Sequence, residues 1–158
     1  MGEVGNLGIM IEEESTERLT SELLNELLTS NDIESYLSEG NASDRKLVDY
    51  LNERLEKHNL NKATVIRGSK LNPTVVYDIF SGKSRPGRDH AIRLSLGLNC
   101  DLHETQRLLR LAGVSELWCK QRRDAIIIWC VRNGYDLVAV DHELTRFGEP
   151  TLVPASTQ

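Results

Sequence analysis

Apolar residues along this chain recur every three or four positions, the spacing that places side chains on one face of an α-helix. Signals for β-strands do not recur along the chain. The helices that this periodicity predicts cover residues 16–28, 31–40, 43 to at least 55, 61–69, 72–81, 88–98, 101–113, 120–132 and 136–147. The pattern therefore predicts an all-α protein.

Residues at the predicted helix boundaries support these assignments. The predicted caps are Ser43, Asn61, Asn72, a capping box of Asn31 with Glu34, and another of Asp101 with Glu104. Pro73 suits the first helical position, and Gly82 suits a left-handed helix end. Outside the helices, residues 1–15 are Gly-rich and then acidic, which predicts disorder. The segment 149–158 contains two prolines and is predicted to be a loose tail.

Composition excludes several classes of function for this chain of 158 residues. Its longest apolar run, residues 125–131, is far shorter than the roughly 20 residues of a membrane span. The acidic N-terminus lacks the basic start of a signal peptide, and three cysteines without CxxC spacing do not suggest a disulfide framework. These features predict a cytoplasmic protein. No metal-ligand spacing, phosphate loop or catalytic motif occurs, so we expect no cofactor, no metal and no enzymatic activity.

Charge is distributed unevenly along the chain, whose net charge is −5. Residues 1–40 contain ten acids and one base, whereas residues 41–110 contain thirteen bases and eight acids. The remaining residues contain five bases and six acids. Only the middle part of the chain is therefore basic, and it can attract nucleic acid if its basic side chains share one face.

Residues 60–98 in this basic part resemble the helix-turn-helix core of the lambda-repressor-like (Xre) family. The resemblance rests on the Gly82-Lys83-x-x-Pro86 loop, on apolar residues at Val76 and Ile79, and on the turn residue Leu71. The stretch continuing through residues 108–128 also looks like an Xre-type subgroup of Gram-positive bacteria. The resemblance implies a five-helix DNA-binding domain over 43–112, with helical extensions at 16–40 and 115–148.

The family's DNA contacts fall on particular positions of this sequence. The candidate DNA-binding residues are Lys62, Asn72, Thr74, Val75, Tyr77, Lys83, Arg85 and Arg88. Three positions depart from the family pattern. Ile66 replaces a small residue in the first motif helix, Lys70 replaces the turn glycine, and Asp78 places a negative charge on the recognition helix. The resemblance implies that Asn72, Thr74, Val75 and Asp78 face outward at the start of the recognition helix. Among these four, only Asn72 is of a type that pairs strongly with a base edge, and it is also the predicted cap.

Two functions from different classes remain open at this stage. One is a transcriptional regulator that binds double-stranded DNA as a homodimer, with Leu23, Leu27 and Leu144 near the subunit seam. The other is a protein-interaction module that has lost specific DNA readout. The basic side chains either clamp phosphates or form a solvated surface. Tyr77 either contacts DNA or belongs to the core, and the leucine stripes either form the seam or pack within one chain.

Overall fold

The computed structural model describes residues 20–38 and 46–155, and the regular elements in these ranges are all α-helices. Their bounds are α1 Thr20–Thr29, α2 Ile33–Ser38, α3 Leu47–Lys57, α4 Lys62–Ser69, α5 Pro73–Ser81, α6 Arg88–Gly97, α7 Leu102–Leu111, α8 Arg122–Arg132 and α9 Leu137–Arg146. The predicted all-α class is confirmed. The predicted disorder of residues 1–15 and the predicted cap at Ser43 lie outside the described residues. The chain divides into two compact units, Met1–Asp44 and Arg45–Gln158.

The first unit contains α1 and α2, which contact each other. The leucine stripe of α1 remains largely accessible, with Leu28 exposed by 73% and Leu27 by 37%. The predicted capping box at Asn31 is wrong, because Asp32 is the residue that accepts a hydrogen bond from Ser35 N at 2.7 Å. A role for the α1 leucines in a subunit seam stays a prediction.

Local capping bonds fix the starts of four helices in the second unit. The Asn61 side chain accepts from Thr64 N at 2.9 Å, and the Asp136 side chain accepts from Ala139 N at 2.9 Å. Asp101 and Glu104 form both bonds of the predicted capping box. The predicted helix starts at Asn61 and Asp101 are therefore confirmed, and the same holds for the cap of α5 described below.

A single apolar core extends through the second unit. Its centre is α6, where Ile92 and Leu94 are fully buried, as is Leu98 directly after the helix. The same core includes Leu47 near the start of the unit and Leu152 near its end. The predicted boundary between a domain ending at 112 and an extension beginning at 115 therefore lies within one compact unit, because α8 and α9 complete the core around α6 and α7.

Residues 151–153 of the predicted loose tail 149–158 are packed, so that prediction is wrong for this part of the tail. Leu152 is buried, and the Asp141 carboxylate accepts hydrogen bonds from Leu152 N at 2.6 Å and Val153 N at 3.1 Å. The Arg123 guanidinium also donates to the backbone of this segment. The prediction that Leu144 lies near a subunit seam is wrong, because Leu144 is fully buried within its own chain.

Two glycines allow α4 and α6 to cross closely. A Cβ on Gly97 would lie 2.9 Å from Val65 O and 3.0 Å from Ser69 N, which leaves no space for a methyl group. A Cβ on Gly68 would lie 3.0 Å from the Gly97 Cα atom. The family pattern predicts a small residue at the position of Ile66. The resemblance places that residue between the two helices of the motif, whereas Gly68 and Gly97 set the separate close approach of α4 to α6.

We expect Gly97→Ala to destabilise the protein by about 1–3 kcal/mol, the usual cost of overpacking. In a helix without this contact, a change from glycine to alanine would stabilise the protein by about 1 kcal/mol. The sign of the change in unfolding free energy therefore shows whether the contact is present. Urea unfolding measures the difference. Gly87→Ser is the control, because a Cβ at Gly87 meets no atom within 4 Å. Equal stability of Gly97→Ala and the parent protein would contradict the close crossing.

Candidate nucleic-acid interface

Helix α5 is anchored to the core by one face and is accessible on the other. The buried face of the helix consists of Val76, Ile79 and Phe80. At its start, the Asn72 side chain accepts a hydrogen bond from Thr74 N at 2.8 Å, and Pro73 occupies the first helical position. The helix is thus fixed by its own first turn and by three core contacts.

The turn between α4 and α5 is closed by a buried arginine from another helix. Arg93 of α6 donates from Nε to Ser69 O at 3.0 Å and from Nη2 to Lys70 O at 2.7 Å. These carbonyls belong to the end of α4, where Lys70 takes the left-handed conformation with φ 55°. The role of Arg93 could not be predicted from the sequence. Apolar periodicity marks α6 as a core helix but does not show which carbonyls a charged side chain on it can reach.

The accessible face of α5 carries two of the predicted contact residues. Thr74 is exposed, and Tyr77 is 51% exposed, so of the alternative that Tyr77 is a core or partly core residue only the full core position is excluded. Lys62 Nζ lies 5.6 Å from the centre of the Tyr77 ring, within cation–π range. The first turn of α4 and the accessible face of α5 therefore form one surface.

Val75 does not occupy the outward position that the sequence predicts. Its side chain is half-buried and packs against the core. Asp78 is also half-buried, and its backbone oxygen accepts hydrogen bonds from Lys83 N at 2.8 Å and Ser84 N at 3.3 Å. These bonds hold the loop after Gly82 against the end of α5. The groups of α5 available to a ligand are therefore chiefly those of Thr74 and Tyr77, together with the Asn72 amide nitrogen.

The side chains of the following loop divide into two kinds. Lys83 and Arg85 are exposed and make no ion pair among the described residues. Arg88, in contrast, is used inside the protein. Its guanidinium donates to both Asp124 oxygens at 2.9 and 2.6 Å and to the backbone oxygens of Ser115 and Glu116.

The assignment of Arg88 as a DNA contact is accordingly corrected. The ion pair between Arg88 and Asp124 links the start of α6 to the start of α8. Its carboxylate is buried, since Asp124 is 1% exposed. A guanidinium committed to a buried carboxylate is not available to a phosphate without leaving that carboxylate uncompensated. The sequence contains no local signal for this pairing, because 36 positions separate the partners.

The described residues were also compared with what reactive thiols, metal sites and membrane-spanning helices require. Burial raises the pKa of the Cys100 thiol and raises that of Cys130 to about 11, so both thiols are protonated at neutral pH. The described residues contain no group of three or more His, Cys, Asp or Glu that could hold a metal. No helix within the described ranges is long and apolar enough to cross a membrane.

Family models, curated proteins and solved structures yield no match to this chain. A proposal about its function therefore rests on the surface formed by α4, α5 and the loop after α5.

Proposed function

We propose that this protein is a transcriptional regulator of the helix-turn-helix type that binds double-stranded DNA. In this proposal α3 to α7 form the lambda-repressor-like domain, α4 and α5 are the two motif helices, and α5 faces the major groove. The capped and core-anchored geometry of α5 and the Arg93-closed turn before it support the proposal, since a recognition helix must be held rigidly at the surface.

The observation that carries the proposal is which basic side chains form ion pairs with carboxylates and which do not. The bases of segment 62–85 that make no ion pair among the described residues are Lys62, Arg67, Lys70, Lys83 and Arg85. Asp78 is the single acid in that segment. Most arginines elsewhere in the second unit are paired with carboxylates, as Arg54, Arg88, Arg110 and Arg123 are. A segment whose bases are left uncompensated is suited to polyanion binding.

The same surface predicts modest sequence preference. Thr74 can bond a base edge or contact a thymine methyl group, but it cannot make the bidentate contact that discriminates strongly. The Asn72 side-chain oxygen is used as a cap, so only the N–H groups of its amide remain, without the acceptor that a bidentate bond to adenine needs. Asp78 opposes phosphate by its charge. Phosphate contacts therefore contribute most of the expected affinity.

We expect DNA affinity to fall steeply with salt, with a slope of log K against log salt near −3.6 if about four phosphates are neutralised. Combined replacement of Lys62, Lys83 and Arg85 by alanine should reduce the slope to about −0.9 and weaken binding to all sequences alike. Gel-shift titrations with genomic fragments would give the slopes of the parent protein and of the variant. The salt concentration would be varied from about 50 to about 200 mM.

A second triple variant provides the control, with Lys46, Lys120 and Arg132 replaced by alanine. These three residues are exposed, lie outside segment 62–85 and carry the same total charge. Should both triple variants weaken binding equally, net charge rather than this surface would explain the affinity. Unchanged binding by the first variant would remove α5 and its loop from the interface.

A further inference from the structure

An apolar groove lies between α8 and α9. Its volume is about 360 Å³, and it is lined by Ala125, Ile126, Trp129, Glu143, Arg146 and Phe147. Trp129 is 54% exposed and Phe147 is 43% exposed, although both are large aromatic side chains. The Trp129 ring also makes an edge contact with Tyr135, with 5.4 Å between centroids. The groove is thus a preformed surface, with an aromatic side chain already held in place.

The rim of this groove carries two exposed arginines, each paired with a less exposed carboxylate. Arg122 and Arg146 both lie over the Phe147 ring, at 6.0 and 4.9 Å from its centre. Their side chains are 67% and 65% exposed. The carboxylates that pair with them, Glu149 and Glu143, are only 22% and 15% exposed. The groups that an approaching partner meets first are therefore guanidinium groups with remaining N–H donors, while the acids lie beneath them.

We propose that this groove binds an amphipathic helix of a partner protein whose apolar stripe is flanked by carboxylates. Apolar side chains of the partner helix fill the space beside Ile126 and Trp129. Its flanking Asp or Glu side chains accept hydrogen bonds from Arg122 and Arg146. Charge complementarity selects an acidic helix over a basic one, and the aromatic floor supplies the apolar burial that helix-in-groove recognition needs. This surface is separate from the residues proposed to bind DNA.

The test uses the full chain and two labelled 16-residue peptides (a length of about four turns) with leucine on one face. One peptide carries glutamate at the flanking positions, and the other carries lysine. Fluorescence anisotropy should show that the glutamate peptide binds at least about tenfold more tightly, since interfacial charge selects between partners. The variant R122Q/R146Q should lose this preference. Equal binding of the two peptides by the parent protein would overturn the proposal.

Trp129→Glu should weaken binding of the glutamate peptide at least about tenfold, as expected for an aromatic hot spot. Trp118→Glu is the matched control, because Trp118 is 61% exposed and does not line the groove. Circular dichroism establishes that each variant is folded, and Phe147→Ala replaces Trp129→Glu if the latter unfolds. Equal effects of the groove and control variants would also overturn the proposal.

Two other occupants give distinct outcomes. Binding to phosphatidylglycerol vesicles without binding to the glutamate peptide would assign the groove to a lipid surface. Light scattering that shows a concentration-dependent dimer, abolished by Trp129→Glu but not by Trp118→Glu, would assign it to a second copy of the chain. Either result overturns the acidic-helix proposal and leaves the DNA-binding proposal unaffected.

Discussion

Arg88→Ala is expected to destabilise the protein by about 3–5 kcal/mol, the usual cost of removing one partner of a buried ion pair. Asp124, 1% exposed, would keep its negative charge but lose both hydrogen bonds from the guanidinium. Two backbone oxygens of the loop before α8 would lose their donors as well. Urea unfolding monitored by circular dichroism measures the change in the free energy of unfolding.

Arg85→Ala is the matched control for this prediction. Arg85 lies three residues earlier and is exposed without an ion-pair partner among the described residues, so its removal should alter stability by no more than about 0.5 kcal/mol. The double variant Arg88→Ala/Asp124→Ala should recover part of the loss, since no buried charge is then left alone. If Arg88→Ala retained full stability and lost DNA affinity, Arg88 would be a phosphate contact after all.

Glu104→Gln is expected to destabilise the protein at neutral pH by about 3 kcal/mol. Glu104 is almost fully buried, and its carboxylate accepts hydrogen bonds from the Arg54 guanidinium, from Lys57 Nζ at 3.3 Å and from Asp101 N at 3.0 Å. His58 Nε2 lies 3.1 Å from both carboxylate oxygens. The glutamine side chain is neutral, and an NH₂ group replaces one of the two carboxylate oxygens. This group donates hydrogen bonds, so it cannot accept them from the cationic side chains of α3.

The same residue should make stability depend on pH. Burial by itself would raise the pKa of Glu104, but hydrogen bonds from Asp101 N–H, Arg54 and His58 lower it from 4.5 to about 2. Because the folded-state pKa is the lower one, the contribution is fully present above the unfolded-state pKa. It is lost as pH falls from about 4.5 towards 2, and it amounts to about 3 kcal/mol.

Unfolding free energies at pH 7, 4 and 3 would separate the parent protein from Glu104→Gln. By pH 3 the parent should have lost about 2 kcal/mol of this contribution and the variant none of it, so the two curves should approach each other in acid and meet only below the folded-state pKa. Glu53→Gln is the control, because the Glu53 side chain is 50% exposed on the same helix as Arg54. Parallel curves for the parent and Glu104→Gln would contradict the assigned role of the carboxylate.

Features set within a few residues of one another could be predicted from the sequence alone. The helical periodicity, the caps at Asn61 and Asn72, the Asp101–Glu104 capping box and the helix end at Gly82 all depend on bonds between near neighbours. Such bonds form whenever the local chain becomes helical, so the residue types and their spacing are sufficient to indicate them.

The face of α5 was predicted less completely. The spacing of Val76 and Ile79 correctly identifies the buried side, which leaves Thr74 and Tyr77 accessible. Val75 and Asp78 are half-buried, because the width of the buried stripe depends on how closely neighbouring helices approach. The close crossing of α4 and α6 is equally hidden from the sequence, because Gly68 and Gly97 are 29 positions apart and share no sequence motif.

Only the tertiary structure decided which charged and apolar side chains are used within the protein. The sequence presents Arg85 and Arg88 as equivalent members of one basic loop, but the fold brings Asp124 to Arg88, whereas no carboxylate of residues 20–38 or 46–155 forms an ion pair with Arg85. It likewise buries Leu144 and Leu152 while leaving Trp129 accessible. The physical reason is that ion pairs and core contacts depend on distances in space between segments far apart in sequence, whereas helix periodicity and capping depend on distances along the chain.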